Sequence, residues 1–478
     1  MTIDVLPDDA LLEIFIHHLL EYSESSADDV ETWHSLVHVC RRWRNIVFGS
    51  PFRLNLRIRC TAKTQVRTML NIWPALPIVV QAMHSASSLI AGADNIVAAL
   101  ELKDRIRQIS FWNCPSSLWR RIASAMLEPF PAMTGLKISL RDDTIPVAVL
   151  PEAFLGGSAP RLRSCFLMGV PFPGIWKLLL SADQLVELAL MDTPQSGYIS
   201  PEDMVACLSA MPNLKTFWLE FRSRESTQDR SNRWQRPPPL TPAVLPCLAQ
   251  FRFQGDSGYM SDLLSRINTP LLSNVSISLF HIRMFDTAPR LHSLLNCTQI
   301  FESCSGAVLT FYPNEIHFRH GHQFILGISG FPLSRQLSSL VPVCNLSLPP
   351  VCTLKRLEVR LGRNSAPHYQ LVSDAEVNRW LGFFRPFTAL ECLCLDENFA
   401  PRIVPALRHS QLAPQGATQV LPTLESLFVE GTSNLLRNAA EEFVTARQLP
   451  GHGLPVTLYS WDGTSNDPCG KHRQHSSL

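Results

Sequence analysis

Three short stretches carry residue types able to do chemistry. Gly255-Asp256-Ser257-Gly258 could set a serine up as a nucleophile. That chemistry needs a histidine held by an acid and donors for the oxyanion. Tyr259 follows where such a loop wants another glycine, and no histidine segment has the partner motif, so an ordinary turn is the simpler reading. His317, His320 and His322 in HFRHGH could bind zinc. A structural zinc site takes four ligands, and no fourth lies at a suitable spacing, so a surface turn and no metal are expected. Cys40 in VCRRWR stands among Arg41, Arg42 and Arg44, a positive setting that would activate an exposed thiolate.

The element carrying Cys40 decides its role. In LVHVCRRWRNIVFGSP (36–51), Leu36, Val39, Cys40, Trp43 and Val47 fall on one helical stripe, with Ile46 at its edge. The arginines fall off the stripe and stay in water. One helix ending at Gly49 and Pro51 is expected, with Cys40 acting as a small hydrophobe. Upstream, Pro7 suits a first helical turn, and Asp8 and Asp9 complement the positive end of the helix dipole. Leu11, Ile14, Phe15, His18 and Leu19 then give that helix an apolar face. Between the two segments, Glu21, Glu24, Asp28, Asp29 and Glu31 line a stretch with no glycine for a calcium turn. It reads as a solvated loop ending in a helix cap.

Composition narrows the class. The chain has 478 residues, a formal charge of +1 and 46 % apolar residues, enough for a large core and too neutral for global steering to nucleic acid or anionic membrane. Charged residues are only 17 % and prolines number 36, which favours many short elements joined by turns. Met1-Thr2-Ile3-Asp4 lacks a basic leader, and no window is apolar enough to span a bilayer, so neither export nor a membrane is expected. The 13 cysteines are scattered without a CxxC pair, and Cys392 and Cys394 lie on one face of a strand. Free thiols in the cytoplasm or nucleus follow. No phosphate loop or dinucleotide motif occurs, so no cofactor is expected.

Beyond Pro51 the pattern changes. Residues 52–60 and 75–83 read as strands, and 95–106 as a helix. A unit apolar-x-x-apolar-x-apolar then recurs: Ile106/Ile109/Phe111, Met133/Leu136/Ile138, Leu162/Cys165/Leu167, Leu185/Leu188/Leu190 and Leu214/Phe217/Leu219. It continues as Leu248/Phe251/Phe253, Leu272/Val275/Ile277, Leu354/Leu357/Val359, Leu390/Leu393/Leu395 and Leu424/Leu427/Val429. Pro131, Pro160, Pro212, Pro246, Pro270 and Pro422 stand two residues before a unit, where proline would stop an incoming helix and lead into a strand. Residues 177–185 and 201–211 read as return helices. This is the logic of a leucine-rich repeat: two strand residues face one core, and the first apolar residue fills it from the preceding turn. The ladder position three residues past the strand is filled at Cys114 and Asn398 only, and no unit falls between 277 and 354.

Leu6-Pro7, LLEIF at 11–15 and VCRRWR at 39–44 together resemble an F-box, with the acidic stretch replacing the usual short connection. With the repeats, and with wording such as IWPALPIVV, FLGGSAPRLRS and SGYISPEDMV, the chain is similar to the large F-box and leucine-rich-repeat-like families of basidiomycete-type fungi. The resemblance implies an α/β fold: a small helical F-box over 1–51, an irregular leucine-rich-repeat-like α/β solenoid over 52–461, right-handed and curved, and a flexible tail over 462–478. It implies a substrate-recognition adaptor, not an enzyme, in a Skp–cullin–F-box ubiquitin ligase. Leu6, Pro7, Leu11, Ile14, Phe15, Val39, Cys40 and Trp43 would pack on the Skp adaptor subunit of the cullin complex or hold the helical unit together. The repeats would bind an unknown protein target. The loop insert 222–242, with Arg222, Arg224, Arg233, Trp234 and Arg236, is a candidate target-binding loop or a solvated insertion. The alternative is a leucine-rich scaffold outside any ligase, whose N-terminal helices cap the solenoid.

Overall fold

The computed structural model describes residues 5–21, 32–50, 56–72, 75, 77–82, 86–141, 149–222, 242–280, 306–330, 333–347, 349–362, 374–411, 420–430, 434–448 and 454–461. The chain is a mixed α/β protein with predominantly parallel strands, in two compact units, Met1–Leu245 and Pro246–Leu478.

The first unit opens with three helices, α1 (Asp8–Glu21), α2 (Thr32–Val39) and α3 (Arg41–Gly49). Strands β1 (Leu56–Arg59), β2 (Ile78–Ala82), β3 (Ile106–Cys114), β4 (Gly135–Leu140), β5 (Ser164–Met168), β6 (Glu187–Thr193) and β7 (Thr216–Phe221) follow in sequence order, each parallel to the last. Helices α4 (Val66–Ile72), α5 (Ala86–Ala91), α6 (Ala93–Leu100), α7 (Ser116–Ala125), α8 (Ile175–Leu180) and α9 (Pro201–Ser209) alternate with them. The region expected to be helical to 106 ends at Leu100, because Ile106 already begins β3.

Register explains why the apolar triples matter. Ile109, Leu136, Cys165, Leu188 and Phe217 form one row across β3–β7, and Phe111, Ile138, Leu167, Leu190 and Leu219 form the next. Every one is at most 4 % exposed. Full burial of such a side chain stabilises by about 1.5–3 kcal/mol, so each repeat adds two anchors to one continuous core. The leading apolar residue donates its N–H back across a turn: Met133 to Phe130 O, Leu162 to Ala159 O and Leu214 to Met211 O, at 3.1–3.2 Å. Pro131, Pro160 and Pro212 occupy the second position of these turns. There the fixed φ of proline is preset and its missing N–H costs nothing. The prolines therefore build the turn into the strand, rather than ending a helix as the sequence reading has it. Return helix α9 starts as expected, with Pro201 in its first turn and Ser200 Oγ accepting from Asp203 N at 3.1 Å.

The second unit holds β8 (Gln250–Gly255), β9 (Asn274–Leu279), β10 (Gly306–Phe311), β11 (Glu315–His320), β12 (Phe324–Ser329), β13 (Arg356–Leu361), β14 (Cys392–Leu395), β15 (Ser426–Glu430) and β16 (Thr457–Trp461). Its helices are α10 (Ser257–Leu264), α11 (Leu333–Ser347), α12 (Asp374–Phe384), α13 (Ala400–Gln411) and α14 (Asn434–Arg447). Strand order is β8-β9-β12-β11-β10-β13-β14-β15-β16. Between the two repeat blocks, β10 and β11, then β11 and β12, pair antiparallel; the flanking pairs β9/β12 and β10/β13 are parallel. This meander lies within the interval in which the sequence shows no repeat. The later triples keep their role: Leu357, Leu393 and Leu427 share one row, Val359, Leu395 and Val429 the next, all buried.

Asp396, one residue past β14, accepts from Leu361 N at 2.5 Å, Asn398 N at 3.0 Å and Phe399 N at 2.9 Å. It joins β13 to the start of α13. The side chain that ties strand to helix here is that of Asp396, not the expected Asn398; burial pushes its carboxyl above its ordinary range, opposed by those backbone donors and the Asn398 side chain.

Candidate functional site

The helix expected through Cys40 is broken there. Cys40 adopts extended backbone and caps α3, its Sγ accepting from Trp43 N at 3.4 Å. The stripe is split accordingly: Leu36 and Val47 are buried, while Val39 and Cys40 are exposed.

The arginines do more than stay wet. Arg42 Nη2 donates to Leu6 O at 2.5 Å, and its Nε and Nη2 donate to Asp8 Oδ1 at 2.9 and 2.7 Å. This clamp holds the start of α1 beside the start of α3. Arg44 Nε donates to Val37 O at 3.0 Å and satisfies a carbonyl at the end of α2. Leu11, Leu12, Phe15, Leu36, Val37, Ile46 and Val47 are buried, and Phe15 packs against half-buried Trp43 with ring centroids 4.7 Å apart. Leu6 is half-buried and Pro7 exposed. Val5, Ile14 and Val39 remain 73, 48 and 59 % exposed. Of the eight predicted site residues, Leu11 and Phe15 are internal, Trp43 and Leu6 are intermediate, and Pro7, Ile14, Val39 and Cys40 look outward. Val5 and the Arg42 clamp were missed. A lone valine at a chain start has no periodicity to mark it, and Arg42 acts through a backbone carbonyl that no motif displays.

The second surface is the face of β2–β6 opposite the buried rows. Gln81, Ser110, Lys137, Phe166, Ala189 and Trp218 lie in one row across β2–β7. Trp112 and Phe166 meet at 5.3 Å, and Trp112 Nε1 donates to Ser110 Oγ at 3.0 Å. A cavity of 520 Å³ opens beside them, lined by Gln81, Gln108, Gly135, Lys137, Arg163 and Glu187 among others.

The expected loop site fares differently. Arg222 is bound to Asp192, with its Nη2 donating to Oδ2 at 2.8 Å and its Nε to both oxygens at 3.1 Å. That pair pins Asp192 at its positive φ of 49° in the bulge of β6. It has a structural task within the first unit. Arg224, Arg233, Trp234 and Arg236 lie outside the described residues.

The catalytic and metal candidates also resolve. Gly255 ends β8, Asp256 caps α10 by accepting from Gly258 N at 2.8 Å, and Ser257 is the fully buried first residue of that helix. GDSG is a strand-to-helix junction, neither a free turn nor an exposed nucleophile. His317 and His320 lie in β11, three residues apart and so on opposite faces, which corrects the surface-turn reading for those two, while exposed His322 stands in the turn that follows the strand, as expected. No cluster of three metal-ligating side chains occurs among the described residues, and no described helix is long and apolar enough to cross a membrane. Burial pushes the Cys165 and Cys207 thiols up to about 12, with Asp203 adding to the latter, and raises Cys344 as well. These sulfurs pack as small hydrophobes. The Cys392 and Cys394 sulfurs do share one face, 3.8 Å apart.

No family model matches the chain, and no curated protein matches it either.

Proposed function

We propose that the chain is a substrate-recognition adaptor of a Skp–cullin–F-box ubiquitin ligase, an F-box joined to an irregular leucine-rich-repeat-like solenoid. The observation that carries this reading is the division of labour in α1–α3. The three helices have a core of their own and still present Val5, Pro7, Ile14, Val39 and Cys40 outward. A helical cap would spend those apolar side chains on the repeats it covers. Exposed apolar surface beside an ordered core suits a partner protein. The solenoid reading rests on the buried triples, their shared register and the repeated turn before each strand.

In this role the chain makes and breaks no bonds. It holds a target so that a target lysine dwells near the conjugating enzyme's thioester, raising the effective concentration of the two reactants. The test is co-purification of the full chain with a Skp adaptor, beside a variant with Leu6 and Pro7 both changed to Ala. Binding by the wild type and loss in the variant is expected. A folded, monodisperse wild-type chain that binds no Skp adaptor overturns the reading and leaves a scaffold with a helical cap.

A further inference from the structure

We propose that the face of β2–β6 opposite the buried rows binds an extended acidic segment of a partner protein. An Asp or Glu carboxylate would sit on Lys137 and Arg163, and a neighbouring apolar side chain on the Trp112–Phe166 pair. This gives the target of the adaptor reading an address and rests on that reading only for the target's fate.

Charge is the first argument. Lys137 and Arg163 are both exposed at the cavity, and neither side chain has an ion-pair partner among the described residues. Arg107 lines the same cavity, and the one acid there, Glu187, is engaged by Ser164 Oγ at 3.0 Å. Lys137 and Arg163 together against that one acid leave the cavity short of negative charge. A carboxylate supplies it through charge-assisted bonds.

Shape is the second argument. Gly135 sits among these side chains, and a Cβ added there would meet Gln108 Cγ at 3.2 Å, so glycine preserves the depth. Lys137 and Phe166 are register partners on adjacent strands, about 5 Å apart along the sheet. Alternate side chains of an extended peptide are about 7 Å apart, so an acid and an apolar residue two positions on reach both subsites. Half-buried Met168, which accepts from Ser139 Oγ at 3.7 Å, borders the aromatic pair with an adaptable apolar surface.

The same features disfavour other anions. Glu187 repels a phosphate dianion more than a single carboxylate. Nucleic acid wants a cationic track for successive phosphates, where this face offers one cationic point with an acid in it.

The test is selection from a displayed library of random octapeptides on the immobilised full-length chain, in parallel with the variant K137E/R163E. Both positions are exposed, so circular dichroism and thermal unfolding of the variant should match wild type; K137Q/R163Q replaces it if they do not. Peptides with Asp or Glu two positions from an apolar residue should be enriched on the wild type and lost on the variant. A synthetic winner should lose at least tenfold in Kd when its acid becomes Gln or Asn. Enrichment that is absent, neutral, basic or unchanged in the variant overturns the proposal. So does a phosphoserine twin or a ten-nucleotide oligouridine that binds tenfold more tightly than the winner. Skp binding is not read in this assay, so its failure and that of the adaptor reading are distinguishable.

Discussion

Replacing Val5, Ile14 and Val39 together by serine removes the outward apolar surface of the N-terminal helices and leaves their core in place. At 73, 48 and 59 % exposure these residues offer nearly two whole aliphatic side chains still to be buried. Complete burial of one is worth about 1.5–3 kcal/mol, so docking this surface contributes about 3 kcal/mol. That corresponds to on the order of a hundredfold in Kd for the Skp adaptor. Translational and rotational losses on association are common to wild type and variant and drop out of the comparison. Isothermal titration of purified full-length chains against the Skp adaptor reads the difference directly. Serine and isoleucine have similar helix propensities, so α1 should persist through the change at 14. Helix content by circular dichroism should be unchanged, and resistance of the first fifty residues to limited proteolysis should match wild type. The Phe15→Ala variant is the contrast: its ring is buried against Trp43, and deleting it costs about 3–5 kcal/mol and should open the helical unit to protease. A triple variant that binds within threefold of wild type refutes the assignment of this face. One that becomes as protease-sensitive as Phe15→Ala shows that the three residues pack on the chain itself.

Three further outcomes follow from the repeats. Phe217→Ala empties a fully buried position in the row it shares with Leu188, and should cost about 3–5 kcal/mol in urea unfolding; a loss under 1 kcal/mol would show that the row is not close-packed. Pro160→Ala and Pro212→Ala leave the turn hydrogen bonds intact but free the unfolded chain, so each should destabilise by about 0.4–1 kcal/mol; unchanged or increased stability refutes the turn assignment. Burial raises the Asp396 carboxyl, so the folded chain holds that proton more tightly than the unfolded chain does. The resulting stabilisation is full below the unfolded value of about 3.9 and is lost as pH rises through the higher folded one. The unfolding free energy of wild type relative to Asp396→Asn should therefore fall as pH rises above about 4, and a constant or rising difference rules this out.

What the sequence shows and what it hides divide along physical lines. The triples were legible because the strand residues facing the core keep a period of two that hardly any surface residue interrupts, and all ten fall on buried positions. The antiparallel strands of 306–329 alternate just as clearly, and Pro313-Asn314 and Gly321 stand at their turns, with Tyr312 N donating to Glu315 O at 2.8 Å. They escaped a search tuned to one parallel repeat, and the histidines of β11 drew attention to metal chemistry instead of to the strand beneath them. The break at Cys40 is harder. A thiol is a weak acceptor and ranks low among capping residues, so nothing local announces that the chain leaves the helix there. What stabilises the break is remote: Arg42 reaches the Leu6 carbonyl and Asp8, and Arg44 reaches the carbonyl of Val37. The break is also what turns Val39 and Cys40 outward, beside the start of α1. An unbroken helix would have carried both toward the stripe of Leu36 and Val47, so the outward surface on which the adaptor reading rests is a product of contacts between segments, and periodicity within one segment could not have shown it.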